Sequence, residues 1–187
     1  MTGLGAGGVV ASLKVLHEEQ DRFPAHARSA LHGNAAQLRA LASEINRLEA
    51  QILDWRRNDE TSRRLATIPG IGPITASAIA AAVPDASLFR SGRKIAAWLG
   101  LTPRANSSGG KERLGGITKQ GDGYLRRLLV VGSTAVMRMT RKNPARQPWM
   151  AGLLERKPAK IATVALANKT ALIAWVVMTR KEVYAAA

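Results

Sequence analysis

The sequence predicts an all-α protein, with a projecting coiled-coil helix followed by a compact helical domain. Three observations carry this. Apolar residues recur at a 3-4 spacing from Leu38 to Trp55, the signature of a helix seam. Aromatic residues are only 4% of the chain while alanine is abundant, so the core is expected to be Ala, Leu, Ile and Val on helices. The remainder breaks into short apolar helical stretches separated by Gly- and Pro-bearing turns.

Residues 10–32 have a helical pattern that Pro24 interrupts, because proline removes a backbone donor and clashes with the preceding turn. The seam that follows consists of Leu38, Leu41, Ile45, Leu48, Ile52 and Trp55. It extends backwards through Asn34 to Leu31, and a polar residue at a seam position often fixes register. Arg39, Glu44, Arg47 and Glu49 lie between the seam positions as a mixed-charge solvent face. Slightly under three heptads is short for an autonomous dimer, so two readings stand: dimerisation through this helix, or an intramolecular hairpin with residues 10–32.

The pattern stops near Asn58 to Thr61, where the charge balance also changes sign. Residues 1–61 carry seven Lys/Arg and eight Asp/Glu, whereas residues 62–187 carry 21 and five. The domain boundary is therefore placed there, giving a helical arm and coiled coil (1–61) and a basic C-terminal domain (62–187). A domain with a balance of +16 repels itself unless it meets a polyanion, and nucleic acid is the usual one.

Other classes are disfavoured by what the chain lacks. There is no cysteine, so disulfides and thiolate metal sites are excluded. His17, His26 and His32 have no ligand spacing, and the five late carboxylates (Asp85, Glu112, Asp122, Glu155, Glu182) do not pair as two-metal chemistry requires, so no metal is expected to be bound by this chain. The N-terminus has no basic segment ahead of its apolar stretch and makes a poor secretory signal. The apolar run Ile161 to Met178 is interrupted by Asn168 and Lys169 and reads as a core helix, not a membrane span. A cytoplasmic, nucleoid-associated location is expected.

Residues 65–83, LATIPGIGPITASAIAAAV, form an apolar helix, the turn Pro69-Gly70-Ile71-Gly72, and an alanine-rich helix opened by Pro73. This resembles the helix-hairpin-helix motif, in which hairpin amides and the N-terminus of the second helix hold a DNA phosphate. Gly70, Ile71 and Gly72 are then the contact residues, since unpaired N–H groups and the helix dipole favour an anion there. Such a contact positions the protein on the backbone without reading sequence. The plainer reading is a joint that only packs.

Residues 102–123, TPRANSSGGKERLGGITKQGDG, are glycine-rich, basic and serine-bearing, between an apolar helix (Ile95 to Leu101) and another over Tyr124 to Thr140. In the latter, Leu125, Leu128, Leu129, Gly132 and Val136 share a face, with Arg126 and Arg127 off it as candidate DNA-binding residues. Arg104, Lys111, Arg113 and Lys119 supply positive charge in the loop, which suits a phosphate. It is not a phosphate-binding loop of nucleotide hydrolases, because Gly109-Gly110-Lys111 is followed by Glu112. No histidine follows residue 32, so a Ser-His-Asp arrangement is absent. On the residues alone, a flexible basic loop lying on nucleic acid suffices.

The order of coiled coil, IPGIGPITASAIAA, FRSGRKIAAWLGLTPR and SSGGKERLGGITKQGDGYLRRLLV closely resembles the C-terminal half of the IS110 family of insertion-sequence transposases. These are relatives of the pilin-gene invertase and are bridge-RNA-guided recombinases. The resemblance covers about residues 35–180 and is most specific over 98–131. It implies a nucleophilic serine that attacks a DNA phosphate, within a site completed by an acidic, magnesium-binding RuvC-like domain of another subunit. Ser108, directly before Gly109, matches the family serine, with Ser107 as its neighbour. Arg104, Lys111 and Arg113 become candidates to hold the phosphate, whose developing charge needs cationic partners. A serine hydroxyl needs a base or metal to become a nucleophile. Met1 lies close to the coiled coil with no acidic domain before it, so magnesium is expected only through a partner, and recombination by this chain alone is not expected. The resemblance also implies DNA, a guide RNA, and a homo-oligomer or full-length transposase as partners. The rival readings are a non-catalytic helix-hairpin-helix module and a fragment that regulates full-length transposase.

Overall fold

The computed structural model describes Lys14, Glu18, residues 23–105 and residues 114–185. The chain divides into two compact units, 1–51 and 52–187.

In the first unit the helix α1 opens at Ala25, directly after Pro24, and continues to Asn58 in the second. Pro24 therefore sits where its missing N–H costs nothing, and its carbonyl accepts from Arg28 N at 3.0 Å. Gly33 does not break the helix. Residues 25–32 thus belong to the same helix as the seam and cannot fold back on it. The seam positions Leu38, Leu41, Ile45 and Leu48 are exposed, with Leu41 the most open at 60%, while Ala35 is buried. Glu44 pairs with Arg47 on the polar face, which holds the Glu44 carboxyl below its usual pKa.

In the second unit, α2 (Glu60–Leu65) starts on Asp59, whose carboxylate accepts from Ser62 N as an N-cap. A turn leads to α3 (Pro73–Ala82), which ends where Val83 leaves the helical region ahead of Pro84. A 3₁₀ turn (Ala86–Leu88) is capped by Asp85, whose carboxyl is held below its usual pKa by the Ser87 hydroxyl and amide. Next come α4 (Gly92–Trp98), strands β1 (Pro103–Ala105) and β2 (Leu114–Ile117), and α5 (Gly123–Lys142). A 3₁₀ turn (Pro144–Arg146), α6 (Pro148–Arg156) and α7 (Ala159–Arg180) complete the unit.

The all-α expectation holds, with one addition. β1 and β2 form a small antiparallel ribbon, Pro103 opposite Ile117 and Ala105 opposite Leu114. The segment read simply as a loop thus has two extended ends.

The packing centre is α7, which buries Ala162, Thr163, Leu166, Ala167, Thr170, Ala171, Ala174, Val177 and Met178 against its neighbours. By length and composition it could cross a bilayer, but a helix apolar on nearly every side is also what a core requires. Its small residues let α4 and α5 approach, so that Leu125, Leu129, Ile95 and Leu101 become fully buried. Each such leucine contributes about 1.5–3 kcal/mol by leaving water. Trp175 Nε1 donates to the carbonyls of Ala86 and Phe89, tying the 3₁₀ turn to α7.

Candidate nucleic-acid interface

Two elements read as phosphate sites, the Gly70–Gly72 turn and the basic loop, dock on the same helix, α5. At the turn, Ile71 is buried and anchors the chain. Gly70 takes φ +88° and lies so close to Gly132 of α5 that a Cβ on Gly132 would stand 1.9 Å from the Gly70 carbonyl oxygen. Both residues must be glycine for the two backbones to touch. Gly72 differs. It is exposed, has ordinary extended dihedrals, N-caps α3 without a side-chain bond, and a Cβ there would meet nothing within 4 Å. One glycine of the turn serves packing and the other faces open space.

The basic loop is framed just as tightly. Gly100 and Gly121, at φ +67° and +77°, bring their segments into backbone contact: a Cβ on Gly121 would fall 1.8 Å from the Trp98 carbonyl oxygen. Across this joint Thr118 N donates to Thr102 O at 2.9 Å and Lys119 N to Gly100 O at 3.1 Å. Lys119 itself is left-handed, at φ 58°. Arg104 Nη2 donates to Thr118 O, bracing the ribbon on the opposite strand. Asp122 caps α5 by accepting from Tyr124 N and Leu125 N.

Arg126 is half-buried, and its Nη1 donates to Leu99 O at 2.9 Å and Gln120 O at 3.1 Å. It places a cation against the carbonyl end of α4, where the helix dipole favours one, and holds the joint shut. Arg127, one residue on, is exposed. Of the other residues singled out in the sequence, Ser107, Ser108, Lys111 and Arg113 lie outside the described residues. The described chain fixes the two ends of their segment, at Ala105 and Leu114.

Gly132 and Asn168 were not identified as site-building residues in the sequence. Asn168 Nδ2 donates to Leu101 O at 3.2 Å, linking α7 to the chain entering the ribbon. Its signal was the polar break in an otherwise apolar run.

Charge completes the picture. Among the described residues from 60 to 185, Arg64 with Glu60 at 3.0 Å is the one ion pair. Asp85 and Asp122 are both engaged in capping. Among the described residues no three His, Asp or Glu side chains gather as a metal site.

Comparison with known proteins gives this arrangement a lineage. Residues 62–149 match the model described as Transposase IS116/IS110/IS902 family. The chain is 46% identical to a Pseudomonas aeruginosa protein named "Probable family 20 transposase", over 98% of this chain and 55% of that one. It is 43% identical to the transposase for insertion sequence element IS1328 of Yersinia enterocolitica, over 77% of this chain and 43% of the relative. It is also 40% identical to the transposase for IS1111A of Coxiella burnetii, over 75% and 39%. The chain therefore spans about half the length of these curated relatives. Through residues 62–149 the chain belongs to the IS116/IS110/IS902 family of transposases.

Proposed function

We propose that this chain supplies the nucleic-acid-binding, serine-bearing part of a DNA transposase. The observation that carries the reading is the frame around residues 106–113. Their two ends are framed by a ribbon, the close backbone approaches of Gly100 and Gly121, and the Arg126 staple, within a surface whose positive charge is almost wholly without ion pairs among the described residues. A surface of this kind lacks counter-charges of its own and gains them from phosphates.

In this reading Ser108 is the nucleophile. Its Oγ forms a bond to a DNA phosphorus, one P–O bond to deoxyribose breaks, and the serine proton passes to the leaving oxygen. Arg104, Lys111, Arg113 and Lys119 offset the charge that builds on the phosphate, and Arg127 and the Gly72 amide side hold neighbouring backbone. The base or metal that activates the hydroxyl comes from acidic residues outside the described chain, in cis or in trans. The exposed seam from Leu38 to Trp55, half-buried at Ile52, joins this chain to a second copy or to a full-length transposase, since an exposed apolar stripe at seam spacing is an association surface.

The test mixes the purified chain with an acidic, magnesium-binding half from a full-length relative, nicked target DNA and guide RNA. A serine-linked DNA adduct on a denaturing gel, lost in Ser108→Ala and kept in Ser107→Ala, supports the assignment. An adduct indifferent to Ser108→Ala refutes it. No adduct, with salt-sensitive binding, leaves a binding module without chemistry. Sedimentation of Leu41→Asp checks the seam: the wild type associates at micromolar concentration and the variant does not, whereas a monomeric wild type overturns that part.

A further inference from the structure

A cavity of about 840 Å³ is lined by the ribbon and by α7. Pro103, Ile117 and Val164 give it apolar walls, and Lys119, Lys160 and Asn168 supply its polar groups. No carboxylate lines it among the described residues. The Asn168 amide is oriented by its bond to Leu101 O, which uses a donor and leaves Oδ1 as an acceptor. Lys160 and Ile161 belong to the first turn of α7, which holds no acidic residue and whose N-cap, Pro158, makes no side-chain bond. The positive end of a 22-residue helix therefore lies at the cavity beside the ammonium groups of Lys119 and Lys160, which have no ion pair among the described residues.

A matching ligand has an apolar body, a hydrogen-bond donor on its edge and an anionic end. A nucleotide has all three, and the volume falls within the roughly 300–1,000 Å³ of organic-ligand sites. We propose that this cavity takes one unstacked nucleotide of the bound strand. Its base lies against Ile117 and Val164, an exocyclic amine donates to Asn168 Oδ1, and Lys119 and Lys160 hold its phosphate. Pro103 and Ile117 also belong to the strands that bracket residues 106–113. Seating a base here would draw the strand's backbone along the serine-bearing segment and fix which phosphate meets it. Enzymes that do chemistry on a base extrude a nucleotide into a pocket in this way. The inference rests on the nucleic-acid reading above and adds a defined base pocket to it.

The test titrates the full chain into short single-stranded oligodeoxynucleotides carrying 2-aminopurine at successive positions, with anisotropy giving the affinity. At the seated position the emission of 2-aminopurine rises on binding. Ala165→Phe, which fills the cavity, abolishes that rise while the salt dependence of binding stays. An abasic site at the same position makes the measurement without altering the protein, and weakens binding several-fold. Lys160→Ala lowers affinity for the intact strand more than for the abasic one. Salt-sensitive binding with flat emission at every position, or indifferent to an abasic site, overturns the pocket and leaves the nucleic-acid reading in place. A rise that survives Ala165→Phe in a folded variant seats the base elsewhere and also overturns it. No salt-sensitive binding at all overturns both.

Discussion

Gly132→Ala is expected to destabilise the protein, although the same change in most helices does the opposite. Alanine is a better helix former than glycine by about 1 kcal/mol, and Gly132 lies within the 20-residue helix α5. The new methyl would stand 1.9 Å from the Gly70 carbonyl oxygen, where a real Cβ keeps at least 3.0 Å. Relief takes a displacement of about 1 Å between two backbones. Neither can rotate away as a side chain would, and the turn is held on its other side by buried Ile68 and Ile71. Overpacking a well-filled core costs about 1–3 kcal/mol, and a clash with backbone belongs at the upper end. The net loss is then about 1–2 kcal/mol. Gly152→Ala in α6 is the control, because a Cβ there meets nothing within 4 Å. It should stabilise by up to about 1 kcal/mol. Urea unfolding followed by circular dichroism reads both. With a slope of about 1–3 kcal/mol per molar, the midpoint falls by roughly 0.5–1 M for Gly132→Ala and rises slightly for Gly152→Ala. A rise in both would refute the close backbone contact and the docking of the turn on α5.

Gly72→Asp separates stability from binding at the same turn. An aspartate at this uncapped N-terminus stabilises α3 by about a few tenths of a kcal/mol, yet its charge repels a phosphate, so the melting temperature holds or rises slightly while DNA affinity falls; unchanged affinity removes Gly72 from the interface. Arg126→Ala and Arg127→Ala divide along the same line. The first loses two bonds from a charged donor and about 1.5–3 kcal/mol of stability, whereas the second leaves the melt unchanged and reduces the salt slope of binding by about one ion. Equal melts for the two variants would sink the staple. Finally, a unit with so few ion pairs is held against its own repulsion, which salt screens over about 10 Å at 0.1 M. Its melting temperature should rise with sodium chloride as DNA affinity falls, and a melt that falls with salt contradicts this.

The seam was legible because a helix pattern is local: six residues at 3-4 spacing identify a face that the structure leaves exposed from Leu38 to Leu48. The turn at Pro69 to Pro73 was legible because proline and glycine act on their own dihedrals. The ribbon was not. Leu114-Gly-Gly-Ile has no alternation and two poor strand formers, and it is flanked by close backbone approaches of Gly100 to Gln120 and of Gly121 to Trp98, which are distant in sequence. Arg126 illustrates a second limit. Its charge is visible in the sequence, but the partners it takes are the carbonyls of Leu99 and Gln120, which no residue type announces.

These non-local joints share a consequence. Arg126 and Gly132 are six residues apart on α5, about 9 Å along the axis, so the staple to Leu99 and Gln120 and the seat of the Gly70 turn belong to one rigid rod. A lever built from side chains would let each phosphate-facing element settle separately. Backbone-to-backbone contact at Gly70 with Gly132, at Gly100 with Gln120 and at Gly121 with Trp98 removes that freedom, because no side-chain torsion lies between the touching atoms. Displacing α5 by 1 Å would move the turn and both strand ends together. In-line attack on phosphorus tolerates little error, and a misplacement of that size costs on the order of a hundredfold in rate. Under the proposed function, a serine-bearing segment served by this frame gains its precision from glycines outside the proposed contacts. The substitutions most damaging to strand transfer should therefore include Gly132 and Gly121 alongside Ser108.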